Sequence, residues 1–269
     1  MKKILVIFII LAILTGGGFF AYQKFFQKEK AEETKKVITK KKPQINLLEL
    51  EKRPFVILLP RIDGHELFVT IDGLKMGEDS VEYELEYQAG TMLQGAFGRI
   101  DFQEEPVPVT KKLLLGSCSK GKCKYDEDVS GGSLTLYFEG KEDYGVKGEF
   151  TLNKMSEKKG VFSSKDEKIS LDVGKTGLAS GTFVVVLDTI GLPEEINTKV
   201  LAGPIGFFTA SEQSIKKATL TFKEIKEDIT DAKILCWNEK EWQEYEVETE
   251  GEEASAQIGQ LGTFILVSN

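Results

Sequence analysis

Beyond residue 53 apolar and polar positions alternate along much of the chain, and turn residues cut the alternation into short runs. The clearest run is 81–87, where Val81, Tyr83, Leu85 and Tyr87 fall on one side and Glu82, Glu84 and Glu86 on the other. A strand with one packed and one wet face has this period. Comparable runs at 55–59, 67–71, 134–138 and 148–152 are separated by Asp63-Gly64, Asp72-Gly73 and Gly131-Gly132. With 26 Gly, 17 Phe and 7 Tyr, the chain is written as an all-β protein with many turns. The pattern predicts an antiparallel β-sandwich over 53–165, Ig-like or fibronectin-like in general character.

From Ile4 to Tyr22 the pattern is different, because no charged residue interrupts nineteen positions rich in Ile, Leu and Phe. As a helix they span about 28 Å, close to the hydrocarbon thickness of a bilayer. This predicts a signal-anchor or transmembrane helix over 1–22, with the membrane itself as a partner. A cleaved signal peptide is the rival reading, since Lys2 and Lys3 precede the run and Gly16 and Gly18 follow it. No Cys follows that could carry a lipid. Residues 23–52, rich in Lys, Glu and Gln and broken by Pro43, bury too little to fold alone and read as a basic flexible tether. Lys24, Lys28 and the lysines up to Lys42 outnumber Lys2 and Lys3, which taken literally keeps the C-terminal part in the cytoplasm. The secretion-like start and the cysteine spacing favour export instead, giving a single-pass protein with extracytoplasmic domains.

Charge divides at the same place. Residues 1–52 hold 11 Lys and 5 Glu, and the remainder sets 24 basic residues against 38 acidic ones, a net charge of −14. A body of that sign repels phosphates, so nucleic acid is not an expected partner.

Cys118 and Cys123 flank Gly121 in a stretch that can turn back on itself, and a structural disulfide is expected between them. Closing so short a loop contributes about 2 kcal/mol in the chain-entropy model and pins a loop more than a domain. A zinc site lacks ligands, with only Cys236 and His65 left elsewhere. Just after the pair, Asp126, Asp128 and Ser130 copy the first half of a calcium loop, but Tyr137 stands where its twelfth-position acid belongs. A solvated acidic turn is the alternative.

In the C-terminal part, apolar runs recur at 168–173, 218–222 and 232–242, with Cys236, Trp237 and Trp242 in the third, and again at 259–267. In this succession residues 166–269 resemble the ZU5-like β-sandwich module of bacterial surface proteins and ankyrin-type scaffolds. The resemblance implies a recognition or structural role. Self-cleavage, which some members perform at a His-Phe-Ser step, is not implied, because 261–264 reads Leu-Gly-Thr-Phe. Taken by themselves, 233–237 and 241–247 flank the polar turn Asn238-Glu239-Lys240 and predict a hairpin. Trp237 and Trp242 are either hairpin packing or a sugar-stacking platform, and Cys236 reads as a small buried residue.

His65 is the chain's one imidazole and lies beside a turn, so no Ser-His-Asp or Cys-His arrangement is in prospect. Gly95-Ala96-Phe97-Gly98 lacks the Lys of a phosphate loop. No catalytic residues and no cofactor are expected. The expected whole is an all-β chain of two antiparallel sandwich domains after one transmembrane helix, binding a protein or glycan in the cell envelope without catalysis. A carbohydrate-active or thiol-active enzyme with a loop-built site and a passive spacer are the alternatives.

Overall fold

A computed structural model of the chain describes residues 42–211 and 214–268. The expected helix from Ile4 to Tyr22 and most of the tether lie outside the described residues. Among those described, no helix is long and apolar enough to cross a membrane. Residues 42–269 form one compact unit.

The unit is built almost wholly of strands. In chain order they are β1 (Phe55–Pro60), β2 (Glu66–Asp72), β3 (Glu78–Ala89), β4 (Met92–Asp101), β5 (Val109–Leu114), β6 (Gly116–Ser119), β7 (Lys122–Tyr125), β8 (Val129–Gly140) and β9 (Tyr144–Lys154). A helical turn, Met155–Lys158, leads to β10 (Val161–Ser163), β11 (Ile169–Asp172), β12 (Phe183–Asp188), β13 (Val200–Phe208) and β14 (Ser214–Phe222). The chain ends in β15 (Lys233–Trp237), β16 (Trp242–Glu246), β17 (Glu248–Glu250), β18 (Glu253–Gln260) and β19 (Gly262–Val267).

One nine-stranded antiparallel sheet, in the order β16-β15-β19-β13-β12-β9-β8-β3-β4, organises everything else. It passes through both sequence regions without interruption, because β9 pairs with β12 from Phe150↔Leu187 to Lys154↔Phe183. A three-stranded sheet, β1-β2-β5, covers one face at the β4 end. A five-stranded sheet, β10-β11-β14-β18-β17, covers the opposite face at the β16 end.

The period of two explains how one sheet serves both covers. On β12, Val185 and Leu187 point into the first core with Val56, Leu134 and Phe150, while Val184 and Val186 point into the second with Phe207, Phe222 and Phe264. Four consecutive apolar residues are therefore buried, as in a strand covered on both sides. β19 does the same: Phe264 and Leu266 join the second core, and Ile265 and Val267 meet Leu192 on the other face. The run at 259–267 is thus two strands in different sheets, β18 and β19, that part at Leu261.

The alternation at 81–87 is realised in β3, with Val81, Leu85 and Tyr87 buried and Glu82 and Glu86 exposed. The hairpin expected around Asn238 is β15–β16, with Trp237 opposite Trp242. Asn238 shapes its turn, its side-chain oxygen accepting from the backbone N–H groups of Lys240 at 3.1 Å and Glu241 at 2.9 Å.

Candidate functional site

β6 and β7 form a two-stranded arm outside the larger sheets. Its turn is Lys120-Gly121, with φ of 49° and 77°, two consecutive positive values as a two-residue type I′ turn requires. Glycine accepts the second without strain. Cys118 stands directly opposite Cys123, Cα to Cα 4.0 Å, and a disulfide joins them.

Every residue of β7 is exposed, so the arm is not held out by a core of its own. Its root is fixed instead. Leu115 N–H donates to the His65 carbonyl at 3.0 Å and Asp126 N–H to the Leu115 carbonyl at 3.0 Å. The Tyr125 ring stacks on His65 with centroids 4.1 Å apart and planes within 5°. The Tyr87 hydroxyl donates to the Asp126 carboxylate at 2.7 Å. Burial, the Asp126 hydrogen bond and its negative charge together hold the Tyr87 pKa above the ordinary phenol value.

The arm has two unlike faces. Cross-strand pairing puts the disulfide on one side and sets Ser119 beside Lys122 and Ser117 beside Lys124 on the other. No ion pair joins Lys120, Lys122 or Lys124 to another described residue. The arm therefore offers cations and hydroxyls, the cations paired with no described residue, on a body whose net charge is strongly negative.

The remaining candidates lie apart from one another. Asp126 is engaged by Tyr87, Asp128 occupies a turn with φ of 55° while its carbonyl accepts from Gly90 N–H, and Ser130 already belongs to β8. No group of three or more His, Cys, Asp or Glu side chains among the described residues is placed to hold a metal ion. Trp237 and Trp242 meet edge to face, centroids 5.5 Å apart and planes at 61°, so their two faces do not form one flat platform. Trp242 packs with Leu192, Ile265 and Val267, and its Nε1 and the hydroxyl of Thr263 are buried without a hydrogen-bond partner. Cys236 is fully buried, and burial pushes its thiol up to about 12 despite a hydrogen bond from Gln260. It stays protonated at neutral pH and is a poor nucleophile.

Sequence reasoning missed the part played by His65, which serves as a stacking support for the arm. The pairing with Tyr125 spans sixty residues, and no local pattern announces it. Also unforeseen was Asp188, at the end of β12, whose carboxyl is pushed up to about 6 by desolvation and then by the nearby Asp166 and Glu149 carboxylates. An open cleft close by is lined by Asp166, Glu167, Lys168, Lys223, Glu224 and Glu253. Lys168 and Glu224 pair within it at 2.8 Å.

Neither a scan against protein-family models nor a search of curated proteins finds a match to this chain.

Proposed function

We propose that the chain is a non-catalytic binding or scaffolding component of the cell envelope, held at the membrane through residues 4–22 with its β-rich body on the extracytoplasmic side. The carrying observation is the disulfide-closed arm. A bond between two cysteines on an exposed hairpin persists in an oxidising compartment and is reduced in a cytosol, so it favours export over the literal lysine count.

The arm also suggests how binding occurs. A short hairpin that buries little has no evident task in holding the body together, yet it is closed covalently and braced at its root by the His65–Tyr125 stack and the Tyr87–Asp126 hydrogen bond. Such a build limits the conformational entropy lost when a partner docks. Lys122, Lys124, Ser117 and Ser119 supply charge and hydrogen-bond donors to a protein or glycan partner. The resemblance of residues 166–269 to ZU5-like modules points to recognition as well.

Protease shaving of intact cells followed by cross-linking capture tests the proposal. Loss of the body on shaving and capture of an envelope protein or glycan by the wild-type arm, diminished in Lys122→Glu/Lys124→Glu, is the expected result. Complete protection from external protease would refute it.

A further inference from the structure

The nine-stranded sheet ends at β4, and this edge is unlike the others. β10 and β17 are three residues long, and β17 reads Glu-Thr-Glu. β5 carries Lys111 and Lys112, β16 carries Glu244 and Glu246, and β1 ends in Pro60 with its Val56 N–H donating to the Ile190 carbonyl at 2.9 Å. Brevity, charge, proline and cover are the usual means by which an edge is kept from pairing. β4 has ten residues and no Pro, its charges Arg99 and Asp101 stand at one end so that 92–98 is uncharged, and it follows β3 without a register shift from Ser80↔Asp101 to Ala89↔Met92. Outside that ladder, no backbone hydrogen bond among the described residues reaches 92–100.

Apolar exposure gathers on the same strand. Of seven exposed large hydrophobic residues among those described, three belong to β4: Met92 at 60%, Leu93 at 67% and Phe97 at 85%. A long, open, apolar edge presents unpaired N–H and C=O groups together with side chains that gain by leaving water.

We infer that β4 is the contact by which two copies of this chain pair, antiparallel across a two-fold axis through Ala96, joining two nine-stranded sheets into one. A two-fold contact puts residue i opposite j and j opposite i. Opposed side chains must share a face, so the axis passes through a residue and not between two. With the axis at Ala96, Phe97 covers the partner's Gly95 and Leu93 lies against the aliphatic stem of the partner's Arg99, whose guanidinium is held over β3 and β8 by Glu82 and Glu139. Arg99 and Asp101, the charged positions of the strand, both face uncharged residues, so no like charges are opposed. Complementarity of the strand to its own sequence is the reason for choosing a second copy over a foreign peptide.

The test uses the full chain in detergent, with cysteine introduced singly along β4. Cys118 and Cys123 are already joined and Cys236 is buried, so the new thiol is the reactive one. Ala96→Cys is expected to form a disulfide-linked dimer on mild oxidation, faster than Gln94→Cys, whose sulfur lies away from the axis. Phe97→Asp is expected to weaken the dimer about tenfold or more by light scattering, and to leave the melting temperature unchanged at dilutions where both chains are monomeric, since the side chain is in solvent. A chain that is monomeric at every concentration, a dimer indifferent to Phe97→Asp, or a cross-linking maximum away from Ala96 would overturn the inference. A foreign strand bound at β4 in place of the second copy would do so too.

Discussion

At the scale of single residues, Asp188 and Thr263 give the sharpest expectations. The carboxyl of Asp188 is raised from 3.8 to about 6, so the fold favours its protonated form. Its contribution is present in full at acid pH and is lost as pH climbs to about 6, above which the folded chain carries the whole penalty. Asp188→Asn is therefore expected to raise the melting temperature at pH 7.5 and leave it nearly unchanged at pH 4. Although its carboxyl is crowded enough to be partly desolvated, Asp188 as a residue is exposed at the strand end, and solvent screening keeps the gain below about 1 kcal/mol, which calorimetry at the two pH values would measure. Thr263 is 1% exposed and its hydroxyl lacks a partner. Thr263→Val keeps the shape and removes the unsatisfied group, so a stabilisation of about 1 kcal/mol is expected in urea titration. Little of this could be read in advance. Burial of Cys236 was legible because it sits in an apolar run, whereas the surroundings of Asp188 come from three separate strands and turns.

Among the elements, the arm and the two-sided strands behave differently. Reducing the Cys118–Cys123 bond, or replacing both by Ser, should lower global stability by no more than about 2 kcal/mol, since the loop is short. Amide exchange should accelerate at 116–125 and not in β3 or β8, which mass spectrometry would resolve. Cys-x-x-x-x-Cys around a Gly made the hairpin legible, and strict alternation made β3 legible. β4 was not, because Gly95, Gly98 and an exposed Phe97 erase the alternation that identifies a half-buried strand. β12 escaped for the opposite reason. With both faces buried, it has no polar positions to set a period.

For the whole molecule, the consequence of the shared sheet is cooperativity. Leu187 lies in the first core and Phe207 in the second, both fully buried. Leu187→Ala is expected to cost about 2–5 kcal/mol and Phe207→Ala about 3–5. Each should shift one common unfolding transition, seen by denaturant titration with both near-ultraviolet and far-ultraviolet circular dichroism, and not split it in two. The sequence pattern announces apolar faces but not what covers them. Two sandwiches side by side and one long sheet dressed on opposite faces have the same period of two, and only the pairing of β9 with β12 separates them.

β19 sits between β13 and β15, although it follows every other described strand in the chain. Until residues 262–267 have left the ribosome, β13 and β15 each keep an open flank and the second core lacks Phe264 and Leu266. Folding of this half must wait for β19.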